Sequence, residues 1–306
     1  MDIIFNCIPA KIGGQLIRVE KFLEFISEKK DIKVTIYCTM KLLESVPILR
    51  KYDCIVICES KVGIFNILRR LYYENVVIPW TAGDNSIYLS FSHNLPLIRK
   101  STIKYVLSLS NMLPFSKDAI QTLSPIKKIK NTFLKRYIIY SLKRCDKVIA
   151  LSSYSFDYLR INIGLVNVEL IEIGVDNFWS SFDNNGRVIS FPYLLYVSHG
   201  YAYKNHIKLI QGYARALELN STMKLAFVGK FHNDAYYNEL RRKIKFLGLE
   251  NNVIFFGLAD KYELRNLYQY CDGFIYPSLV ETSPNILLEA KAVGCKMAVS
   301  NIRPMT

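Results

Sequence analysis

The chain has 306 residues, 51% of them hydrophobic, which is enough length for two domains of common size and too much apolar content for a disordered chain. Its 40 Lys and Arg outweigh 26 Asp and Glu for a net charge of +14, yet no helix-turn-helix, RNP or finger pattern accompanies that charge, so nucleic acid is not an expected partner. No apolar run approaches the roughly 18 residues of a membrane span, and Met1–Phe5 opens a strand rather than a signal peptide.

Taken in order, Asp2–Cys7 reads as a buried strand, Gly13-Gly14 as a tight turn, and Gln15–Ser27 as an amphipathic helix. The turn is not G-x-G-x-x-G, so a dinucleotide fingerprint is absent, but a glycine pair lets backbone amides approach a phosphate. Strands recur at Lys33–Tyr37, Cys54–Cys58, Ser86–Phe91, Tyr105–Leu109, Lys147–Leu151 and Val168–Glu172, with helices between them. That alternation predicts a parallel, doubly wound α/β sheet, whose ligands gather at the carboxyl ends of strands. Two such ends echo each other, Ser92-His93-Asn94-Leu95-Pro96 and Ser110-Asn111-Met112-Leu113-Pro114. The seven cysteines are scattered with no C-x-x-C pair, which indicates reduced, buried thiols in a cytosol rather than a zinc site or disulfide framework.

Eight basic residues fall between Lys127 and Lys147, interleaved with Phe133, Leu134, Tyr137, Ile138, Ile139, Tyr140 and Leu142. This reads either as an amphipathic basic helix lying on an anionic membrane surface or as a packed helix with a solvated basic face. Ser180–Ser190 is polar and turn-rich, and sets the domain boundary, 1–185 and 186–306. The second domain opens with a strand at Tyr193–Ser198, then Lys204-Asn205 and a helix through Leu217. Further strands end at Gly229-Lys230 and at Gly257-Leu258.

The stretch Tyr276–Asn301 narrows the chemistry. Strands at Asp272–Tyr276 and Lys296–Ser300 flank a helix in which Ser283 is the expected N-cap, Pro284 the first helical position, and Gly294 the stop after Asn285–Val293. Pro284 has no amide hydrogen, so the expected free donors are Asn285, Ile286 and Leu287, an anion site at a sheet's carboxyl edge. Glu281 precedes the helix, and Glu289 stands about 6–8 Å along it at ~1.5 Å per residue. Carboxylates suit vicinal hydroxyls, so a diphosphate on the helix end would set one sugar at each acid. Spacing alone leaves equal room for an exposed helix bearing two solvated glutamates.

The sequence PSLVETSPNILLEAKAVGCKMAVSN, with Glu281-x7-Glu289, resembles the donor-site signature of glycosyltransferase family 4, retaining enzymes of the GT-B fold. The resemblance implies two doubly wound Rossmann-like domains facing a cleft, an acceptor-binding 1–185 and a donor-binding 186–306. It implies that Glu289 holds the ribose of a nucleotide-diphosphate sugar and Glu281 the transferable hexose. YVSHGYAYKN matches the family's YVSxxYxxKN, which assigns Lys204 to the diphosphate and places Ser198 beside it. Relatives carry an arginine five or six residues before that lysine, where this chain has His199 and Ser198. Gly13-Gly14 matches the family's glycine-rich turn, Gly257 and Leu258 its base-holding turn, and Ser283 with Asn285–Leu287 its phosphate-binding helix start. In LSNMLPF, Asn111 stands where many members have a histidine reaching toward the sugar; asparagine hydrogen-bonds a hydroxyl but shuttles no proton near neutral pH. His93 is the alternative candidate.

From these residues the expected activity is transfer of a hexose from a UDP- or GDP-sugar to a glycan or lipid-linked acceptor in surface polysaccharide or lipopolysaccharide synthesis. The expected location is cytoplasmic, on the inner face of the cell membrane. Asp-x-Asp occurs nowhere in the chain, so no metal or other cofactor is expected. Relatives continue some tens of residues past Thr306, which would leave the donor domain incomplete; a non-catalytic sugar-nucleotide or membrane-binding protein is the competing expectation. An epimerase of the same fold ranks below both, since it needs histidines converging on the sugar from the first domain.

Overall fold

The computed structural model describes residues 1–10, 13–57, 63–181, 186–219 and 222–306. Cys58 of the third expected strand and 182–185 of the expected domain boundary lie outside them. Two compact units divide the chain, Met1–Asn111 with Phe133–Glu172, and Met112–Thr132 with Ile173–Thr306.

The first unit holds a seven-stranded parallel sheet of β1 (Asp2–Asn6), β2 (Lys33–Thr39), β3 (Asp53–Ile57), β4 (Ile87–Ser90), β5 (Lys104–Ser108), β6 (Lys147–Ala150) and β7 (Val168–Leu170). Its order is β3-β2-β1-β4-β5-β6-β7, so the chain reverses its direction of travel between β1 and β4. The strands read as continuous apolar runs because helices cover both faces of a parallel sheet. Phe5, Phe22 and Phe91 meet edge-to-face at 4.9–5.5 Å and tie the helix Gly14–Ser27 to the ends of β1 and β4. A π-helical turn at Tyr73–Val77 carries Glu74 inward, where the side-chain amides of Asn6 and Asn94 donate to it at 3.1 Å and Arg70 Nε at 3.1 Å. That buried carboxylate pins the loop after β4 to the end of β1.

The second unit holds a five-stranded parallel sheet of β8 (Tyr193–Val197), β9 (Lys224–Val228), β10 (Val253–Gly257), β11 (Gly273–Tyr276) and β12 (Met297–Val299). Its order, β10-β9-β8-β11-β12, is the doubly wound pattern expected, with the switch between β8 and β11. Leu195, Leu225, Phe274 and Leu240 are fully buried in its core, each worth about 1.5–3 kcal/mol of burial.

The basic stretch forms the helix Pro125–Arg144. At 3.6 residues per turn the basic positions of this helix fall all around its axis, and only Ile138, Ser141 and Leu142 are buried. Instead Ile126, Ile129, Phe133 and Tyr140 lie along one exposed stripe, Ile126 at 80% and Phe133 at 63%. Among the described residues no helix is long and apolar enough to cross a membrane.

Candidate functional site

The switch point between β8 and β11 brings two loops together. After β8 the chain makes a 3-10 turn at Ala202–Lys204, and Tyr196 donates its hydroxyl to Lys204 O at 2.6 Å. Asn205 then takes a left-handed φ of 64°, which asparagine tolerates, and the helix His206–Leu217 begins. After β11 the loop through Thr282 bonds back to that turn, Leu279 N donating to Tyr203 O at 2.9 Å.

These loops place Lys204 and Glu281 side by side. Lys204 Nζ stands 2.5 Å from Glu281 Oε1 and 2.9 Å from the Tyr276 hydroxyl, which itself donates to Glu281 Oε1 at 2.9 Å. The two charged side chains are only 13% and 12% exposed. Burial, followed by the Glu281 charge, pushes the Tyr276 phenol well above its ordinary pKa and keeps it a donor. An ammonium, a carboxylate and a hydroxyl thus converge at a strand end. Tyr276 was read from sequence as core alone; its place as the last residue of β11 is the signal that marks it.

The helix Asn285–Val293 follows that loop and stops at Gly294. Its start differs from expectation in two respects. Pro284, with ψ 100°, is itself the N-cap, so Ser283 lies one residue further out and makes no side-chain cap. Leu287 N already donates to Pro284 O at 3.0 Å, which leaves the amides of Asn285 and Ile286 as the helix-start donors without a helical acceptor. Glu289 is buried at 7% exposure, not a solvated surface acid. Burial raises its pKa to about 7, against the lowering effect of the Tyr268 hydroxyl, 3.4 Å from Oε2, and of Lys261.

The ends of β9 and β10 complete the edge. Gly229 N donates to Gly257 O at 2.7 Å, and a Cβ on Gly229 would sit 2.1 Å from Ser198 O. Glycine is required there both for that approach and for its φ of 135°. Gly257 closes β10 with φ 86°, and Leu258 beyond it is 66% exposed. Ser198 is placed otherwise than expected: it is 4% exposed and its hydroxyl is engaged by His206 Nε2 at 3.1 Å and His199 O at 3.3 Å. His206, missed from sequence, is buried among Tyr196, Phe227 and Phe231; burial and then Lys204 hold its pKa down to about 3, so it is neutral. Burial, His232 and Lys204 likewise lower His199.

The remaining sequence candidates belong to the first unit. Gly13 caps the helix Gly14–Ser27 with φ 67°, and Asn111 follows β5 in the loop entered through Ser110. His93 sits in the loop held by Asn94 and Glu74, 6.5 Å from the Tyr137 ring; burial and then Arg70 lower it to about 4. Among the described residues no three His, Cys, Asp or Glu side chains gather as a metal site would.

Two parallel-sheet Rossmann-like units, one carrying a Lys–Glu–Tyr cluster at its switch point, define a GT-B fold. Residues 177–306 match the family described as glycosyl transferases group 1. The whole chain is similar in structure to Anabaena Alr3699/HepE solved with UDP and glucose, at 20% identity and a TM-score of 0.70, over 98% of this chain and 81% of that one. It is also similar to WaaG, a glycosyltransferase involved in lipopolysaccharide biosynthesis (13% identity, TM-score 0.70, 99% of this chain and 82% of that one). Sucrose-phosphate synthase from Thermosynechococcus elongatus matches at 16% identity and TM-score 0.70, over 99% and 82% of the two chains. No curated protein sequence matches the chain.

Proposed function

We propose that this protein is a retaining glycosyltransferase that moves a hexose from a UDP- or GDP-sugar to a glycan or lipid-linked acceptor of surface polysaccharide or lipopolysaccharide. The observation that carries this reading is the convergence of Lys204, Glu281 and Tyr276 at the β8/β11 switch point, with buried Glu289 along the adjoining helix. One neighbour of this fold, solved with UDP-glucose and with UDP and glucose, supports the donor class.

In this reading the diphosphate lies on the amides of Asn285 and Ile286, and Lys204 turns from Glu281 to the phosphates as charge develops on the leaving group. Release of Lys204 frees Glu281 to accept the hexose hydroxyls and to support positive character at the anomeric carbon. Glu289 accepts the ribose hydroxyls, and the backbone at Gly257 and Leu258 holds the base. Gly13, Gly14 and Asn111 serve the sugar and acceptor from the first unit. Protein groups neutralise the phosphates, so the reaction proceeds without a metal. The protein works from the cytoplasmic face, resting on anionic lipid through the helix Pro125–Arg144, whose exposed apolar stripe is flanked by Lys130 and Arg136.

Calorimetry with UDP, GDP and their hexose conjugates tests the reading. One nucleotide is expected to bind tightly, and to lose that binding in Glu289→Ala and in Lys204→Ala. A folded chain that binds none of them refutes the assignment, and loss of transfer on adding a chelator refutes the metal-free mechanism.

A further inference from the structure

In the first unit Arg18 is a half-buried cation with no acid beside it among the described residues. It lies on the helix Gly14–Ser27, where Nη1 donates to Ser110 Oγ at 2.9 Å and Nη2 to Ser108 Oγ at 3.0 Å. Its guanidinium lies 4.3 Å above the Phe91 ring. Both hydroxyls are neutral, and no carboxylate lies within ion-pair distance of it among the described residues. Burial alone lowers its pKa to about 10, which leaves it fully charged at neutral pH. The same unit shows how it compensates a buried charge elsewhere: Glu74 receives Arg70 and two asparagine amides. A half-buried cation with no carboxylate partner leaves its counter-charge to be supplied from outside the fold.

The surroundings hold the fork in one orientation. Ser110 donates its own hydroxyl to Phe91 O at 2.7 Å, so its lone pairs face the guanidinium. Ser108 is fully buried at the last position of β5, and Gln15 Nε2 donates to Phe91 O at 3.4 Å from one turn up the helix. A guanidinium carries five N–H donors in a plane, and two are used, so three are left for a ligand. Arg18 stands at the carboxyl ends of β4 and β5, next to the switch point between β1 and β4 and beside Asn111, where a doubly wound sheet takes its ligand.

We propose that Arg18, oriented by Ser108, Ser110 and Phe91, binds an oxyanion of the acceptor, so that the acceptor is an anionic glycan bearing a phosphate or a carboxylate. That the oxyanion belongs to the acceptor rests on the glycosyltransferase reading; that Arg18 holds an oxyanion does not. A planar fork takes two oxygens of either group, and an oxyanion supplies the missing counter-charge.

The test follows thermal stability of the full chain titrated with glucose 6-phosphate, glucuronate and glucose at low ionic strength. One or both anionic sugars are expected to stabilise the chain and glucose is not; whichever anion acts distinguishes phosphate from carboxylate. Arg18→Gln is expected to weaken that anion about tenfold or more and Ser110→Ala by a smaller factor, while the stabilisation by UDP is unchanged in both. If Arg18→Gln does not fold, the Arg18 Nε–H resonance of the labelled native chain is followed instead, and is expected to shift with the anion. Anion binding that survives Arg18→Gln, an Nε–H resonance that ignores the anion, or no anion binding at all overturns the proposal. Failure of UDP to bind while the anion still binds through Arg18 would remove the glycosyltransferase reading and leave the oxyanion site standing.

Discussion

Lys204 and Glu281 neutralise each other at 2.5 Å, and the hydroxyl of Tyr276 touches both. In the proposed reading, the cation that meets a diphosphate and the carboxylate that meets a hexose are held as a pair until ligand separates them. Each half protects the other from the cost of a buried, unmatched charge.

Removing one partner is accordingly worse than removing both. Lys204→Ala should destabilise the chain by about 2 kcal/mol, reduced from a fully buried pair because some solvent reaches both groups. Lys204→Ala with Glu281→Ala should recover part of that loss, and the coupling energy is read from urea unfolding of the four chains in a double-mutant cycle. Additive losses would show that the pair contributes nothing to the ligand-free state.

Glu289 predicts a pH dependence with a definite sign. Its folded pKa, about 7, lies above the unfolded value of roughly 4.3, so the folded state binds the extra proton between them. Its contribution to stability is complete below about pH 4 and is lost as pH rises toward 7, by about 3 kcal/mol over that range. Glu289→Gln should flatten this slope in unfolding measured from pH 5 to 8. Because ribose hydroxyls favour the ionised carboxylate, nucleotide binding should release a proton near pH 7. Calorimetry in two buffers of different ionisation enthalpy counts it, and binding that takes up protons would contradict the assignment.

Gly229→Ala tests the strand-end geometry. The added methyl would meet the Ser198 carbonyl at 2.1 Å, and backbone cannot swing aside as a side chain does. The left-handed φ adds its own cost, so a loss of roughly 3 kcal/mol is expected, seen as a lower unfolding midpoint. Gly212→Ala, where nothing lies within 4 Å of the added atom inside the helix His206–Leu217, is the control and should be neutral or stabilising.

Much of this was legible before any coordinates. Runs such as Tyr193–Val197 are apolar throughout because both faces of a parallel strand are covered, and a five-stranded second sheet follows from counting them. Glu281 and Glu289 were legible because their spacing along a punctuated helix is local. What required three dimensions is pairing across strands. Tyr276 reads as the end of a buried strand and Tyr268 carries no signal of its own; only the neighbouring β8 turn and the helix Asn285–Val293 show where their hydroxyls go. Ser198 reads as a ligand through the match of YVSHGYAYKN to a family pattern; its hydroxyl is turned inward by His206, eight residues on. Arg18 carried no sequence signal, since its meaning lies in the absence of an acid near it in space.

The helix Pro125–Arg144 yields the last prediction. Ile126, Ile129, Phe133 and Tyr140 recur at helical spacing along one exposed stripe, with Lys130, Arg136 and Arg144 beside it. Apolar side chains left in water at such spacing gain by entering the boundary of headgroups and acyl chains, and each adjacent cation adds about 1 kcal/mol on an anionic surface. The chain should therefore co-sediment with vesicles rich in phosphatidylglycerol and less with purely zwitterionic ones. Raising salt should weaken the first association, since the Debye length shrinks from about 10 Å at 0.1 M to about 3 Å at 1 M. Replacing Ile129 and Phe133 by serine should reduce binding several-fold with little loss of stability, because neither side chain is buried in the fold. If instead the helix is only a solvated basic face, Lys127→Gln with Lys130→Gln would weaken vesicle binding while the serine variant would not.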